Sequence, residues 1–304
     1  MTDPAESIAP SGRARVLTRT VAGLLLLVIA GFGWVYLASE LHLRDVVERQ
    51  VFNHPIPTDA ASIDRGRYVA RTRGCLGCHG QQLEGKDFSQ QWDWPARAVA
   101  PNLAAYARAH DAATVAAAVR QGIGASGRGL VSMPSYNFAH LSDFDTAALI
   151  AFLRSAPIVA VDLPRPTLGW TARLDLALGR EISYAHWAKR VPRLRFPPDS
   201  RHVRSRGEYL AMTMCNECHG LDLRGYRFRG EMAPDLAIVG AIEPGVMERI
   251  VRTGRGLGDR HLGLMSLVAP DRYADLSPED IDALYRHLSS LLGEPIPQDV
   301  YWRE

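Results

Sequence analysis

Cysteine is nearly absent from this chain: four occur among 304 residues, and all four fall in two short clusters, Cys75-Leu76-Gly77-Cys78-His79 and Cys215-Asn216-Glu217-Cys218-His219. Nothing is left over for structural disulfides, which excludes a disulfide-stapled scaffold. An excess of one charge is also missing, since 35 Lys and Arg face 33 Asp and Glu for a formal net charge of +2. That balance gives no bias toward nucleic acid as a partner. Alternating strand patterns are almost absent too, so the expected fold class is all-α. What remains is ordinary globular composition with room for two domains of ~100–150 residues each.

Uncharged apolar sequence is equally scarce, with one exception. Val21 to Ala38 runs without a charge, close to the about 20 residues that cross a hydrocarbon core. Arg13, Arg15 and Arg19 precede this run, and the positive-inside rule keeps them in the cytoplasm, although Arg44 and Arg49 on the far side weaken the asymmetry. The expectation is a cytoplasmic N-terminus over residues 1–20, a transmembrane anchor over 21–40, and the bulk of the chain in the periplasm of a bacterial-type inner membrane. The competing reading is a cleaved signal peptide, whose apolar region is only ~7–15 residues and ends in a small-residue cleavage site. The bulky Trp34-Val35-Tyr36-Leu37 stretch spoils that site and suits a membrane interface instead.

The rest of the chain reads as two copies of one unit. Arg65-Gly66-Arg67-Tyr68-Val69-Ala70 precedes the first cysteine cluster, and Arg206-Gly207-Glu208-Tyr209-Leu210-Ala211 precedes the second. Each cluster is followed by Gly-x-x-Leu-x-Gly, then by Ala100-Pro101-Asn102-Leu103 or Ala233-Pro234-Asp235-Leu236, then by a segment ending in Gly122 or Gly254. Counting eleven residues on reaches Met133 in one copy and Met265 in the other. Both copies close on Leu-Ser-x-x-Asp and an apolar-periodic stretch. This predicts a terminal helix with Ser142 or Ser277 as N-cap, Asp145 or Asp280 at the capping-box position and Pro278 at the first helical position. The boundaries expected are 60–158 and 203–293, joined by a Pro-rich segment over 159–202 and followed by a tail over 294–304. The joining segment is too long for a simple hinge, so it is expected to pack on a domain or against the membrane surface.

Cys-x-x-Cys-His is the attachment signature of c-type haem. The two sulfurs reach the two vinyl groups of one porphyrin as thioethers, and the adjoining histidine turns its imidazole onto the iron. A single Cys-x-x-Cys is also read as a redox dithiol, and two together as a four-cysteine zinc site. Histidine follows both pairs, each pair lies in its own repeat, and the chain has an export signal, all of which favour haem. Cys75, Cys78, Cys215 and Cys218 are therefore the expected attachment points of two covalent haem c groups, with His79 and His219 as iron ligands. Met133 and Met265 follow those histidines by 54 and 46 residues. An isolated methionine is usually core filler, but the equivalence of the two makes them the candidates for the opposite axial position. Met232, Met247 and His261 are the rivals in the second copy.

Helix, Cys-x-x-Cys-His-Gly, a Pro-Asn-Leu or Pro-Asp-Leu turn, a methionine-bearing loop and a final helix together resemble the class I cytochrome c family, twice over, across about 60–158 and 203–293. The resemblance implies a small all-α fold in each copy, with Gly66 or Gly207 lying against the last helix near Phe152 or Tyr285. It also implies that the carbonyls of Pro101 and Pro234 orient the haem histidines. The tandem arrangement and the phrase from Met133 to Ser142 are similar to cytochrome subunits of periplasmic alcohol, aldehyde and molybdenum-cofactor dehydrogenases. One anchor and two haems are shared with the dihaem subunit of cbb-type oxidases, without a match to that subunit's N-terminal region.

The function expected is single-electron transfer in the periplasm, from a dehydrogenase or quinol-oxidising complex to an oxidase or soluble cytochrome, with no catalysis of its own. A dihaem peroxidase or thiosulfate-oxidising enzyme would need an open or unusual axial position. A transmembrane haem sensor would need a cytoplasmic output module, which the N-terminal stretch does not resemble. The basic stretch holding Lys189, Arg190, Arg193, Arg195, Arg201, Arg204 and Arg206 reads equally as a steering patch or a solvated linker. Trp92 and Trp94 read as ordinary packing, and His110, His140, His186 and His202 as surface or structural groups.

Overall fold

The computed structural model describes residues 12–46, 48–92, 94–191, 205–228 and 231–294. A long helix, α1 (Gly12–Arg44), leads into the first unit. Its segment Arg15–Arg44 is long and apolar enough to cross a membrane, and its apolar window has no buried residue. The first unit comprises α2 (Ala60–Thr72), α3 (Cys75–His79), the two-residue strands β1 (Lys86–Asp87), β2 (Ala96–Arg97) and β3 (Val99–Ala100), then α4 (Leu103–Ala109), α5 (Ala112–Gln121) and α6 (Asp143–Ser155). The joining segment contributes β4 (Thr167–Leu168), α7 (Trp170–Ala177) and α8 (Tyr184–Arg190). The second unit repeats the plan with α9 (Arg206–Met214), α10 (Asn216–His219), the hairpin β5 (Arg224–Phe228) and β6 (Glu231–Asp235), α11 (Pro244–Thr253), α12 (Leu264–Tyr273) and α13 (Pro278–Ser290). The fold is mostly helical, as the scarcity of strand patterns implies.

Local sequence accounts for the helix ends. Asp59 caps α2 by accepting the Ser62 amide at 2.9 Å. Ser142 and Ser277 cap α6 and α13 by accepting the amides of Asp145 and Asp280, each at 3.1 Å. Pro278 occupies the first turn of α13, where its missing N–H would have had no partner. Gly122 and Gly254 close α5 and α11 in the left-handed region, both at φ 66°, a conformation glycine adopts without penalty.

Within each unit the first helix crosses the last at a glycine. A Cβ on Gly66 would lie 1.9 Å from the Ala148 carbonyl oxygen and 2.7 Å from the Phe152 Cβ. At Gly207 the same 1.9 Å separates it from the Ala283 oxygen. The side chain met in the second unit is that of His287, at 2.8 Å, rather than Tyr285. Phe152 and His287 hold the same register, because Leu149 and Leu153 match Leu284 and Leu288. Those four leucines are all 3% exposed or less and centre the two cores, each worth about 1.5–3 kcal/mol on burial. Gly66→Ala should therefore force α2 and α6 apart and cost about 3 kcal/mol. The check is a lower denaturant midpoint at unchanged slope.

The two units exchange side chains across a pseudo-symmetric contact. Arg65 donates twice to Asp145, both at 2.8 Å, and Tyr209 of the other unit donates to the same carboxylate at 2.6 Å. The mirror arrangement joins Arg206 and Tyr68 to Asp280. Both aspartates thus sit at the capping-box position but spend their carboxylates on an arginine and a borrowed tyrosine. Arg73, only 3% exposed, lies between the units and donates to Thr72 at 2.7 Å and to Thr213 at 2.9 Å.

The joining segment packs on the first unit and on α1. β4 pairs with β2, α8 lies against α5 and the turn Ser135–Phe138, and α7 runs along α1. Of the basic stretch, residues 193, 195, 201 and 204 lie outside the described residues, as does His202.

Candidate functional site

Both Cys-x-x-Cys-His clusters form short helices that begin as the first helix of their unit ends. Gly74 makes the turn into α3 in the left-handed region at φ 74°. The first cluster opens on a cavity of about 790 Å³ whose lining includes Cys75, Cys78, His79, Pro101 and Met133. His79 is buried, and its Nδ1 donates to the Pro101 carbonyl at 2.9 Å. That bond fixes the ring and leaves Nε2 as the free nitrogen. Burial lowers the His79 pKa, against the Pro101 hydrogen bond, which raises it. The neutral imidazole is the form that binds a metal.

In the second unit the His219 Nδ1 makes the same 2.9 Å bond to the Pro234 carbonyl, so the repeat extends to the hydrogen bond. Met265 lies in the first turn of α12 and packs, partly buried, against the core cluster that also holds Cys215. Its rivals separate by environment. Met247 is 2% exposed within the core and Met232 is 65% exposed. His261 is exposed, with its Nδ1 accepting the Gly263 amide at 3.1 Å.

Burial makes two of the four thiols weaker acids than usual. Burial pushes Cys75 up to about 11, with the neighbouring Cys78 adding to the effect. It pushes Cys215 up to about 12. Arg73 opposes the rise at both, so one buried cation stands within electrostatic reach of both clusters. A redox dithiol needs a lowered thiol pKa, the reverse of what is found. Among the described residues no three His, Cys, Asp or Glu side chains converge as a metal-binding group, so the four cysteines do not assemble a thiolate zinc site. Two thiols, a histidine with one nitrogen engaged and a thioether on one cavity fit a covalently held haem.

The two sites adjoin. Glu217, inside the second cluster, and Arg272, which donates to it at 2.9 Å, both line the first cavity. Asn216 donates to the Asn137 carbonyl of the first unit at 3.2 Å. The sequence pairs neither unit's cluster with the other, because these contacts join residues of different repeats.

The sequence model for the family described as Cytochrome c matches residues 63–157 and 205–292. The chain belongs to the cytochrome c family. It is a dihaem class I cytochrome c and an electron-transfer protein; the family implies covalently bound haem c, and two matched regions fit two groups. A curated relative is the protein named "Alcohol dehydrogenase (quinone), cytochrome c subunit" of Gluconobacter oxydans (strain 621H), 27% identical over 195 residues. The match covers 58% of the present chain and 40% of that relative's length.

The remaining sequence candidates take structural parts in this cytochrome. Trp94 donates to Asp175 at 3.0 Å, and Trp92 packs with Phe88 and Tyr184. His110 lies against Tyr106, and His186 stacks on His42. His140 is 5% exposed, and burial, with Arg120 nearby, pulls its pKa down to about 4, so it stays neutral at physiological pH.

Proposed function

We propose that the chain is anchored in a bacterial inner membrane by α1, with a cytoplasmic N-terminus and two periplasmic haem domains over 60–158 and 203–293. It passes single electrons from a periplasmic dehydrogenase to an oxidase or soluble cytochrome. Cys75 and Cys78 carry one haem c and Cys215 and Cys218 the other. His79 with Met133, and His219 with Met265, would bind the two irons. The bound haem supplies reversible one-electron chemistry at iron. The protein's part is to hold the imidazole rings through Pro101 and Pro234, to keep water from the iron, and to set the potential through ligand and burial.

The observation that carries this reading is the one cavity lined by Cys75, Cys78, His79 and Met133. A thioether available on the same cavity as the histidine favours a six-coordinate carrier over a catalyst with an open iron position. The adjacency of Glu217 and Arg272 to the first cavity supports passage between the two haems within the chain. The name of the Gluconobacter relative supports a dehydrogenase as the donor.

Intact mass after acid-acetone extraction should exceed that of the polypeptide by two haems. The protein should stay with the membrane through a high-salt wash and leave it in detergent. A mass showing one haem, or release by salt alone, would count against this reading.

A further inference from the structure

We propose that the outer face of α7 inserts into the acyl-chain boundary of the bilayer that α1 spans; this rests on the anchor reading above. Trp170 opens α7 and meets Phe32 of α1 edge-on, with ring centroids 4.7 Å apart. Phe32 lies six residues before the end of the apolar run at Ala38, which at 1.5 Å per residue is about 9 Å inside it. Trp170 is thus held at a depth where α1 itself faces lipid.

The composition of α7 agrees with that depth. Its buried face carries Ala172 and Leu176, 0% and 2% exposed. Its outer face carries Trp170 and Leu174, continued by Leu178 just past the helix end, 51%, 38% and 46% exposed. A helix apolar on both faces belongs in a core or in lipid. Its two charges are turned away from the outer stripe and occupied. Arg173 donates to Ser39 at 2.9 Å and to Glu40 at 3.0 Å and lies over the Tyr36 ring, and Asp175 accepts from Trp94 at 3.0 Å. Charge returns immediately past the stripe, where Gly179, Arg180 and Glu181 are exposed. The outer stripe of α7 is continuous with the exposed apolar surface of α1, so the occupant is the same bilayer. Apolar burial beside an existing anchor adds area without a second insertion event.

The contact also fixes the orientation of the haem domains. Leu43 of α1 and Thr167 and Leu168 of β4 all line the first cavity, so that cavity is the membrane-proximal one.

The full chain, reconstituted in phosphatidylethanolamine and phosphatidylglycerol vesicles doped with a phospholipid carrying a diazirine on its acyl chain, is photolysed and mapped by peptide mass spectrometry. Adducts are expected on α1 around Phe32 and, at comparable yield, on Trp170, Leu174 and Leu178. The yield there should be about tenfold above that at Leu267, an exposed apolar residue of the second unit. Adducts on α1 with only background over 166–178 would overturn the insertion and leave the anchor standing. Background on both would remove the anchor reading and the insertion with it.

Discussion

Replacing Met133 with alanine is expected to remove about half of the weak near-infrared charge-transfer band of oxidised His/Met haem and to lower the potential of one haem, because thioether ligation favours reduced iron. Replacing Met265 should remove the other half. The two losses should be nearly independent, since each methionine lies in its own repeat unit. The environments of the rivals sharpen the second case. Met247 is locked in packing and Met232 points to solvent, while His261 needs its Nδ1 for the Gly263 amide and has only Nε2 to offer. If Met265→Ala leaves the band intact while His261→Ala alters it, the second haem is bis-histidine and the assignment to Met265 is wrong. A high-spin haem in the unaltered protein would shift the reading from carrier to catalyst.

Much of this site is readable from the repeat. The family resemblance names the Pro101 and Pro234 carbonyls, which lie 22 and 15 residues from His79 and His219 and accept from them in both units. The repeat pairs the glycines of α2 and α9 and places Ser142 and Ser277 at helix starts. Local rules suffice there because caps and turns depend on residues a few positions apart. What escapes them depends on long-range geometry. Asp145 and Asp280 look like capping-box partners, but Tyr209 and Tyr68, 64 and 212 positions away, compete for their carboxylates and win. The role of the joining segment is hidden for a similar reason. Its length reads as packing on a domain or the membrane surface, but not where, because a two-residue strand and an eight-residue helix gain their stability from β2 and α1 rather than from their own propensity. The contact of Gly207 with His287 rather than Tyr285 is recoverable from register, once Phe152 is counted from Leu149 rather than matched by aromatic type.

The exchanged tyrosines lead to a stability prediction. Asp145 is 2% exposed at its side chain and its partner Arg65 is 24% exposed, so Asp145→Ala strands a cation and a phenol in a poorly solvated contact. Removing one partner of a buried pair costs about 3–5 kcal/mol. Asp280→Ala should cost less, because its arginine, Arg206, is 51% exposed and water can replace the lost carboxylate. Burial alone would raise the pKa of Asp145; the Arg65 hydrogen bonds and charge, helped by Arg73 and Tyr209, outweigh it and hold the carboxyl below its ordinary value. A carboxylate depressed on folding contributes stability that is fully present above its unfolded pKa of about 3.9 and is lost as pH falls through the lower folded value. The denaturant midpoint of the wild-type chain should thus fall on acidification below about pH 4. Asp145→Asn should start lower at neutral pH and lose much of that acid slope, since a neutral amide has no proton to take up. If Asp145→Asn kept the full slope, the contact between the units would not be the group that titrates.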